Sequence, residues 1–126
     1  MSSPTVILCV DDEPNILMLR QIVLSIAGYK VLAATNGESA MRLFTLDHVD
    51  LVITDQLLPG LTGSQLASQM KRLKPEVPVI VYTGLQEIPS DAEDADLILT
   101  KGMTPPEFLA AIAKVVAKSQ PGAETP

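Results

Sequence analysis

The sequence predicts an α/β domain built on a five-stranded parallel sheet that carries helices on both faces. One observation is a set of five short runs rich in aliphatic and β-branched residues, which is typical of strands buried on both faces. These runs are Val6–Val10, Lys30–Ala34, 51–54, 77–82 and Leu97–Thr100. A second observation is that helical patterns alternate with these runs, which requires right-handed crossovers and produces a doubly wound sheet.

The first two helices are predicted from the residues that begin and end them. Pro14 suits the first turn of a helix, and Gly28 is a residue at which that helix stops. Apolar residues at helical spacing predict its inward face, which consists of Ile16, Leu19, Val23 and Ile26. Asn36 suits the N-cap of the second helix, because its side chain can accept hydrogen bonds from the first free amides.

Two capping boxes mark the starts of the remaining helices. Thr62 pairs with Gln65 before the third helix, and Thr104 pairs with Glu107 before the last. The segment 84–100 has no clear helical period ahead of the fifth strand. It predicts a loop that contains a turn or two of helix.

For five strands, this alternation predicts the flavodoxin-like order 2-1-3-4-5. The switch point of that order lies between the first and third strands, and ligands bind there outside the carboxyl ends of the strands. Polar residues follow or end the predicted strands at this edge: Asp11, Asp12, Asp55, Thr83 and Lys101. Three carboxylates in one crevice repel each other unless a cation is present, and oxygen ligands favour Mg²⁺. The alternative for Asp11 and Asp12 is that they only cap the first helix.

Composition limits the function classes. The chain has 126 residues, enough for one domain, and its net charge of −6 argues against direct binding to nucleic acid or anionic membranes. A single cysteine, Cys9, excludes an internal disulfide and is predicted to be a small buried residue. With no signal peptide and no long apolar run, we expect a cytoplasmic protein. The basic run 71–74 on the third helix is predicted to be a solvated face.

The residues at the strand ends resemble those of receiver domains from two-component response regulators. The matching segments are V-D-D-E-P from Val10, D-Q-L-L-P-G-L-T-G from Asp55, the Thr83-Gly84 pair, and Lys101. The resemblance covers residues 5–118, with residues 1–4 as a tail and 119–126 as a disordered tail or truncated linker. It implies a phosphoacceptor that takes a phosphoryl group from a histidine kinase or phosphotransfer protein and then switches the binding of an output partner.

The resemblance also implies a role for each site residue. Asp55 would accept the phosphoryl group, and Asp12 and Asp55 would bind Mg²⁺ directly, with Asp11 acting mainly through water. The main-chain carbonyl of Leu57 would be a further metal ligand. Thr83 and Lys101 would contact phosphoryl oxygens. Such a domain catalyses only its own phosphorylation and dephosphorylation and turns over no outside substrate.

Three departures from the family pattern affect what we expect. Gly102 replaces the usual proline after Lys101, so we expect a trans peptide bond there. Ile98 occupies the position of the family's switch aromatic residue. The segment 84–100 is about one helical turn short, which predicts a shortened or missing fourth helix, an altered output face and a monomer.

Two alternatives stay open at this point. A degenerate receiver that binds partners without phosphorylation would fit Ile98 and Gly102. A small Mg²⁺-dependent phosphohydrolase with an aspartate nucleophile is disfavoured, because such enzymes usually carry a second acid where this chain has Leu57.

Overall fold

The computed structural model describes residues 4–84 and 94–119. The elements in chain order are β1 (Val6–Val10), α1 (Pro14–Ile26), β2 (Lys30–Ala34), α2 (Gly37–Leu46), β3 (Leu51–Asp55), β4 (Leu57–Leu58), β5 (Leu61–Thr62), α3 (Gly63–Leu73), β6 (Val79–Thr83), β7 (Leu97–Thr100) and α4 (Pro105–Ser119). The predicted shortened or missing helix between β6 and β7 falls on residues 85–93, which lie outside the described residues. The same holds for most of the two predicted tails.

The main sheet confirms the predicted topology. Its strands run in the order β2-β1-β3-β6-β7, with every neighbouring pair parallel. Counted among these five strands alone, that order is 2-1-3-4-5. The fourth strand begins and ends later than the predicted run 77–82, at Val79–Thr83. A two-stranded antiparallel hairpin, β4-β5, follows β3 and was not expected from the sequence.

Two hydrophobic cores cover the two faces of the sheet, as the doubly wound arrangement requires. Strand β1 is buried along its whole length and alternates between them. Leu8 and Val10 belong to the core under α2 and α3, whereas Ile7 and Cys9 belong to the core under α1 and α4. Burial of each leucine, isoleucine or valine side chain contributes about 1.5–3 kcal/mol, so the central strand anchors both layers.

The inward face of α1 differs from the prediction. Its buried residues are Leu17, Arg20 and Leu24, while Leu19 and Ile26 are 63% and 82% exposed. Ile16 is also exposed, and Val23 only borders the core. The spacing rule failed because α1 is apolar on nearly all sides, so two stripes fit the helical period. The stripe that is buried contains an arginine, which a hydrophobic pattern rejects.

The helix starts agree with the predicted caps. The Oδ1 atom of Asn36 accepts a hydrogen bond from the amide of Ser39 at 2.8 Å. Thr62 and Gln65 form a complete capping box. Thr104 and Glu107 likewise exchange both of their hydrogen bonds, at 2.8 and 3.3 Å.

The basic run on α3 is not a simple solvated face. Lys71 donates a hydrogen bond to the carbonyl of Val77 at 2.8 Å, and its ammonium lies 2.6 Å from Asp96. Lys74 donates to the carbonyl of Phe44 at 2.7 Å. The prediction was therefore wrong for these two lysines, because a carbonyl after α3 and a carbonyl of α2 accept their hydrogen bonds.

None of the helices in the described ranges has both the length and the apolar character that crossing a bilayer requires.

The burial of Cys9 leads to a prediction about its reactivity. Burial raises the pKa of this thiol to about 12, so very little thiolate exists at pH 8. We expect Ellman's reagent to leave the folded protein unmodified at pH 8 and to modify one thiol per chain in guanidinium chloride. Rapid modification under native conditions would contradict the burial of this residue.

Candidate functional site

The predicted site residues meet at the carboxyl edge of the main sheet. Asp11 directly follows β1, Asp55 ends β3, Thr83 ends β6 and Lys101 directly follows β7. Main-chain hydrogen bonds hold these ends in place. The amide of Lys101 donates to the carbonyl of Thr83 at 2.9 Å, and the amide of Asp11 donates to the carbonyl of Ala34 at 3.1 Å. Strand pairing alone therefore brings together residues that are far apart in the sequence.

Three carboxylates form the centre of the site. Asp11, Asp12 and Asp55 each offer an oxygen, and these oxygens all lie within 4.8 Å of one another. Asp11 and Asp55 are buried, while Asp12 is exposed. Carboxylate oxygens at this separation are ligands suited to a hard divalent cation, and their mutual repulsion is relieved when one binds. The donor set therefore fits Mg²⁺.

Asp55 lies between a cation and a main-chain amide. The Nζ atom of Lys101 lies 2.9 Å from Oδ1 of Asp55, and the amide of Gln56 donates to the same oxygen at 3.0 Å. Burial raises the pKa of the Asp55 carboxyl above its ordinary value; Lys101 opposes this shift and the Asp11 carboxylate adds to it. The bond between Lys101 and Gly102 is trans, as expected without a proline. The lysine reaches Asp55 with this trans bond in place.

Asp11 has a second cation beside it. Its Oδ1 atom accepts a hydrogen bond from the amide of Glu13 at 2.9 Å, and its Oδ2 atom lies 3.0 Å from Nη1 of Arg20. Glu13 is the N-cap of α1, so the alternative in which Asp11 and Asp12 only cap that helix is wrong. Sequence reasoning missed Arg20. The one available signal was a single charged residue in an otherwise uncharged helix.

The other predicted residues lie as follows. Thr83 is fully buried at the end of β6. Leu57 belongs to the short strand β4, and its side chain is mostly exposed, so the role predicted for it concerns its main-chain carbonyl alone. Ile98 is half-buried and borders the core under α2 and α3. Tyr82 packs into the opposite core, edge to face with Phe108, so it does not replace the aromatic residue missing at Ile98.

Gln56 and the start of α3 hold the main chain of Asp55 in place, and sequence reasoning missed this support. The Oε1 atom of Gln56 accepts hydrogen bonds from both the amide and the hydroxyl of Ser64, each at 2.9 Å. The amide of Gly63 donates to the main-chain carbonyl of Gln56 at 2.8 Å. A Cβ atom at Gly63 would collide with the main-chain carbonyl of Asp55. Glycine is therefore required at the first residue of α3.

This close approach predicts that Gly63→Ala is destabilising by about 1–3 kcal/mol, because the colliding atoms belong to the main chain and have little room to move. Gly37→Ala is the matched control, since Gly37 also begins a helix. Its added Cβ would meet only the end of the flexible Leu61 side chain. Urea unfolding of both variants tests the prediction, and equal stabilities would contradict it.

The raised pKa of Asp55 predicts how stability depends on pH. Compared with the unfolded chain, the folded protein favours the protonated form of the Asp55 carboxyl. Ionisation of Asp55 therefore lowers the free energy of unfolding at pH values above its folded-state pKa, and it has no such effect below its unfolded-state pKa. We expect metal-free Asp55→Asn to be more stable than the wild type at pH 8, with a difference that shrinks towards pH 4. Thermal unfolding in EDTA measures this difference. Asp94→Asn, which removes an exposed carboxylate, is the control for loss of one charge.

Sequence relatives of this chain include transcriptional regulators. The family model described as the response regulator receiver domain matches residues 7–113. The phosphate regulon transcriptional regulatory protein PhoB of Pseudomonas aeruginosa is 34% identical over 122 residues, covering 92% of this chain and 53% of that protein. The probable transcriptional regulator ycf27 of Cyanidium caldarium is 32% identical over 118 residues, covering 90% and 47%. The chain thus spans about half the length of these curated relatives.

Solved structures share the same fold. A response regulator receiver domain protein from Clostridium thermocellum has a TM-score of 0.84 and 31% identity, covering 92% of this chain and 97% of that chain. The response regulator TrrA from Thermotoga maritima, solved in complex with Mg²⁺-BeF, has a TM-score of 0.83 and 33% identity, covering 88% and 98%. Since the family model spans most of the chain and solved members share its sheet, this chain belongs to the response regulator receiver domain family of two-component systems.

Proposed function

We propose that Asp55 is the phosphoacceptor of this receiver domain and that a histidine kinase or phosphotransfer protein supplies the phosphoryl group. The observation that carries this proposal is the position of the Asp55 carboxylate. It is buried, it lies 2.9 Å from the Lys101 ammonium, and it shares a crevice with Asp11 and Asp12. A carboxylate in this position is a nucleophile next to fixed positive charge.

The transfer is a substitution at phosphorus. An oxygen of Asp55 forms the new P–O bond while the P–N bond to the donor histidine breaks, and the imidazole nitrogen keeps the bonding pair. Lys101 neutralises one phosphoryl oxygen, and the hydroxyl of Thr83 donates to another. Asp12, Asp55 and the carbonyl of Leu57 would hold Mg²⁺, with Asp11 acting mainly through water, and the bound ion supplies positive charge at the phosphoryl oxygens. Positioning and charge neutralisation are the main requirements of phosphoryl transfer.

The domain limits and partners follow from the same proposal. Residues 5–118 form the receiver, preceded by the tail 1–4 and followed by residues 119–126 as a tail or linker. The relatives are transcriptional regulators about twice as long, so a separate output partner or domain would carry the response. The net charge of −6 supports a receiver that does not itself bind nucleic acid or membranes. We propose a cytoplasmic monomer that modifies only its own aspartate.

A degenerate receiver that binds partners without phosphorylation is the second candidate. Ile98 favours it, because no aromatic side chain occupies the usual switch position. The contact between Lys101 and Asp55 argues against it. A buried carboxylate is costly to stability, and a receiver that is never phosphorylated gains no function from keeping one beside an ammonium group.

Incubation with acetyl phosphate tests the proposal. With Mg²⁺ present, we expect intact-mass measurement to find one added phosphoryl group, and none when EDTA replaces the metal. Asp55→Asn should abolish the gain, whereas the matched variant Asp94→Asn, which removes an exposed carboxylate, should retain it. If no gain occurs and Mg²⁺ with beryllofluoride also fails to bind, the degenerate receiver becomes the better description.

A further inference from the structure

A buried arginine lies beside the acidic cluster. Arg20 is the one charged residue of α1, and only 8% of it is exposed. It lies on the buried stripe of the helix, between Leu17 and Leu24. A buried guanidinium is costly unless nearby groups compensate its charge, so the surroundings of this residue explain why the fold tolerates it.

Two groups compensate the charge of Arg20. The Oδ2 atom of Asp11 lies 3.0 Å from its Nη1 atom. The ring of Tyr82 faces the guanidinium, with 4.2 Å between the guanidinium carbon and the ring centroid, a cation–π distance. Asp11 belongs to the acidic cluster with Asp12 and Asp55, and Tyr82 lies near the carboxyl end of β6.

The ion pair between Arg20 and Asp11 is close but poorly aligned. Neither Oδ2 of Asp11 nor Nη1 of Arg20 makes a hydrogen bond of good geometry, and both atoms are buried. The pair therefore lacks the two parallel hydrogen bonds that make arginine–carboxylate contacts strong. The Oδ2 atom of Asp11 can therefore still interact with a cation, and Asp11 belongs to the set of carboxylates that fits a divalent ion.

We propose that Arg20 is a resident counter-ion of the acidic cluster, which offsets part of the cluster's negative charge in the metal-free protein, and that it competes with Mg²⁺ for Asp11. This inference rests on the proposed function, because it concerns the same metal site. Binding of Mg²⁺ then requires the guanidinium to move away from Asp11, which also changes its contact with the Tyr82 ring. Arg20 therefore weakens the binding of Mg²⁺ and stabilises the metal-free site.

The charges of the site give the direction of the effect. Three carboxylates and the two cations Lys101 and Arg20 leave one net negative charge, and removal of Arg20 leaves two. Because Mg²⁺ is repelled by the guanidinium and attracted by the carboxylates, an uncharged residue at position 20 should tighten binding about tenfold or more. The same change should destabilise the metal-free protein, since Asp11 loses its counter-ion.

Calorimetric titration of the metal-free proteins with MgCl₂ tests this proposal. Arg20→Leu should bind Mg²⁺ about tenfold tighter than the wild type, and Arg20→Lys, which keeps the charge, should restore the weaker binding. Arg42→Leu, which removes an exposed arginine of α2, should stay within about twofold of the wild type. Arg20→Gln gives the same readout in case the leucine variant does not fold.

A second readout needs no change at Arg20. The chain has no tryptophan and two tyrosines, Tyr29 and Tyr82. Only Tyr82 faces the Arg20 guanidinium, so Mg²⁺ should change the tyrosine fluorescence of the wild type and of Tyr29→Phe, but not of Tyr82→Phe.

The outcomes separate this inference from the proposed function. Tighter Mg²⁺ binding by the uncharged variants supports it, because a purely structural role for Arg20 would lower stability without raising metal affinity. If these variants bind Mg²⁺ as the wild type does or more weakly, the competition is overturned while the metal site of the proposed function stands. If neither the wild type nor any variant binds Mg²⁺, both proposals fall.

Discussion

The constraint on which the site depends is the repulsion among three carboxylates that the parallel sheet brings to one edge. Strands β1 and β3 are neighbours, so Asp11 and Asp55 meet regardless of what else occupies the crevice. Burial raises the pKa of Asp55, and the neighbouring Asp11 carboxylate adds to this shift. A fold that accepts this cost must supply positive charge nearby, from its own side chains or from a bound cation. The chemistry of the site follows from where that charge is placed.

Two side chains from different elements of the fold supply this charge. Lys101 comes from the loop after β7 and contacts Asp55, the residue at which we propose the chemistry occurs. Arg20 comes from α1 and contacts Asp11, a residue that we propose acts only in holding the metal. The lysine is partly exposed, so it can follow an added phosphoryl group, whereas the arginine is buried between Asp11 and Tyr82. Two cations of equal charge are therefore suited to different tasks.

Much of this arrangement was predictable, because it depends on local rules that the sequence displays. The pattern of buried strands predicted the order of the sheet, and the capping boxes at Thr62 and Thr104 predicted where two helices begin. The inward face of α1 was not predictable, since a helix that is apolar on nearly all sides has no unique buried stripe. The role of Arg20 was not predictable either, because its charge is compensated by Asp11 and Tyr82, and these contacts exist only in the folded protein. The role of Gly63 likewise depends on how closely α3 approaches Asp55.

The absence of an aromatic residue at position 98 does not isolate the site from the rest of the fold. Ile98 borders the core under α2 and α3, but the charged and aromatic contacts around the site run through the opposite core. Arg20 connects Asp11 to Tyr82, and the Tyr82 ring packs against Phe108 of α4, with 5.3 Å between the ring centroids. The ring that faces Arg20 is therefore the same ring that packs against the start of α4. In this chain, side-chain contacts join the acidic cluster to α4 through the core under α1, where Arg20 supplies a charged group and Tyr82 an aromatic ring.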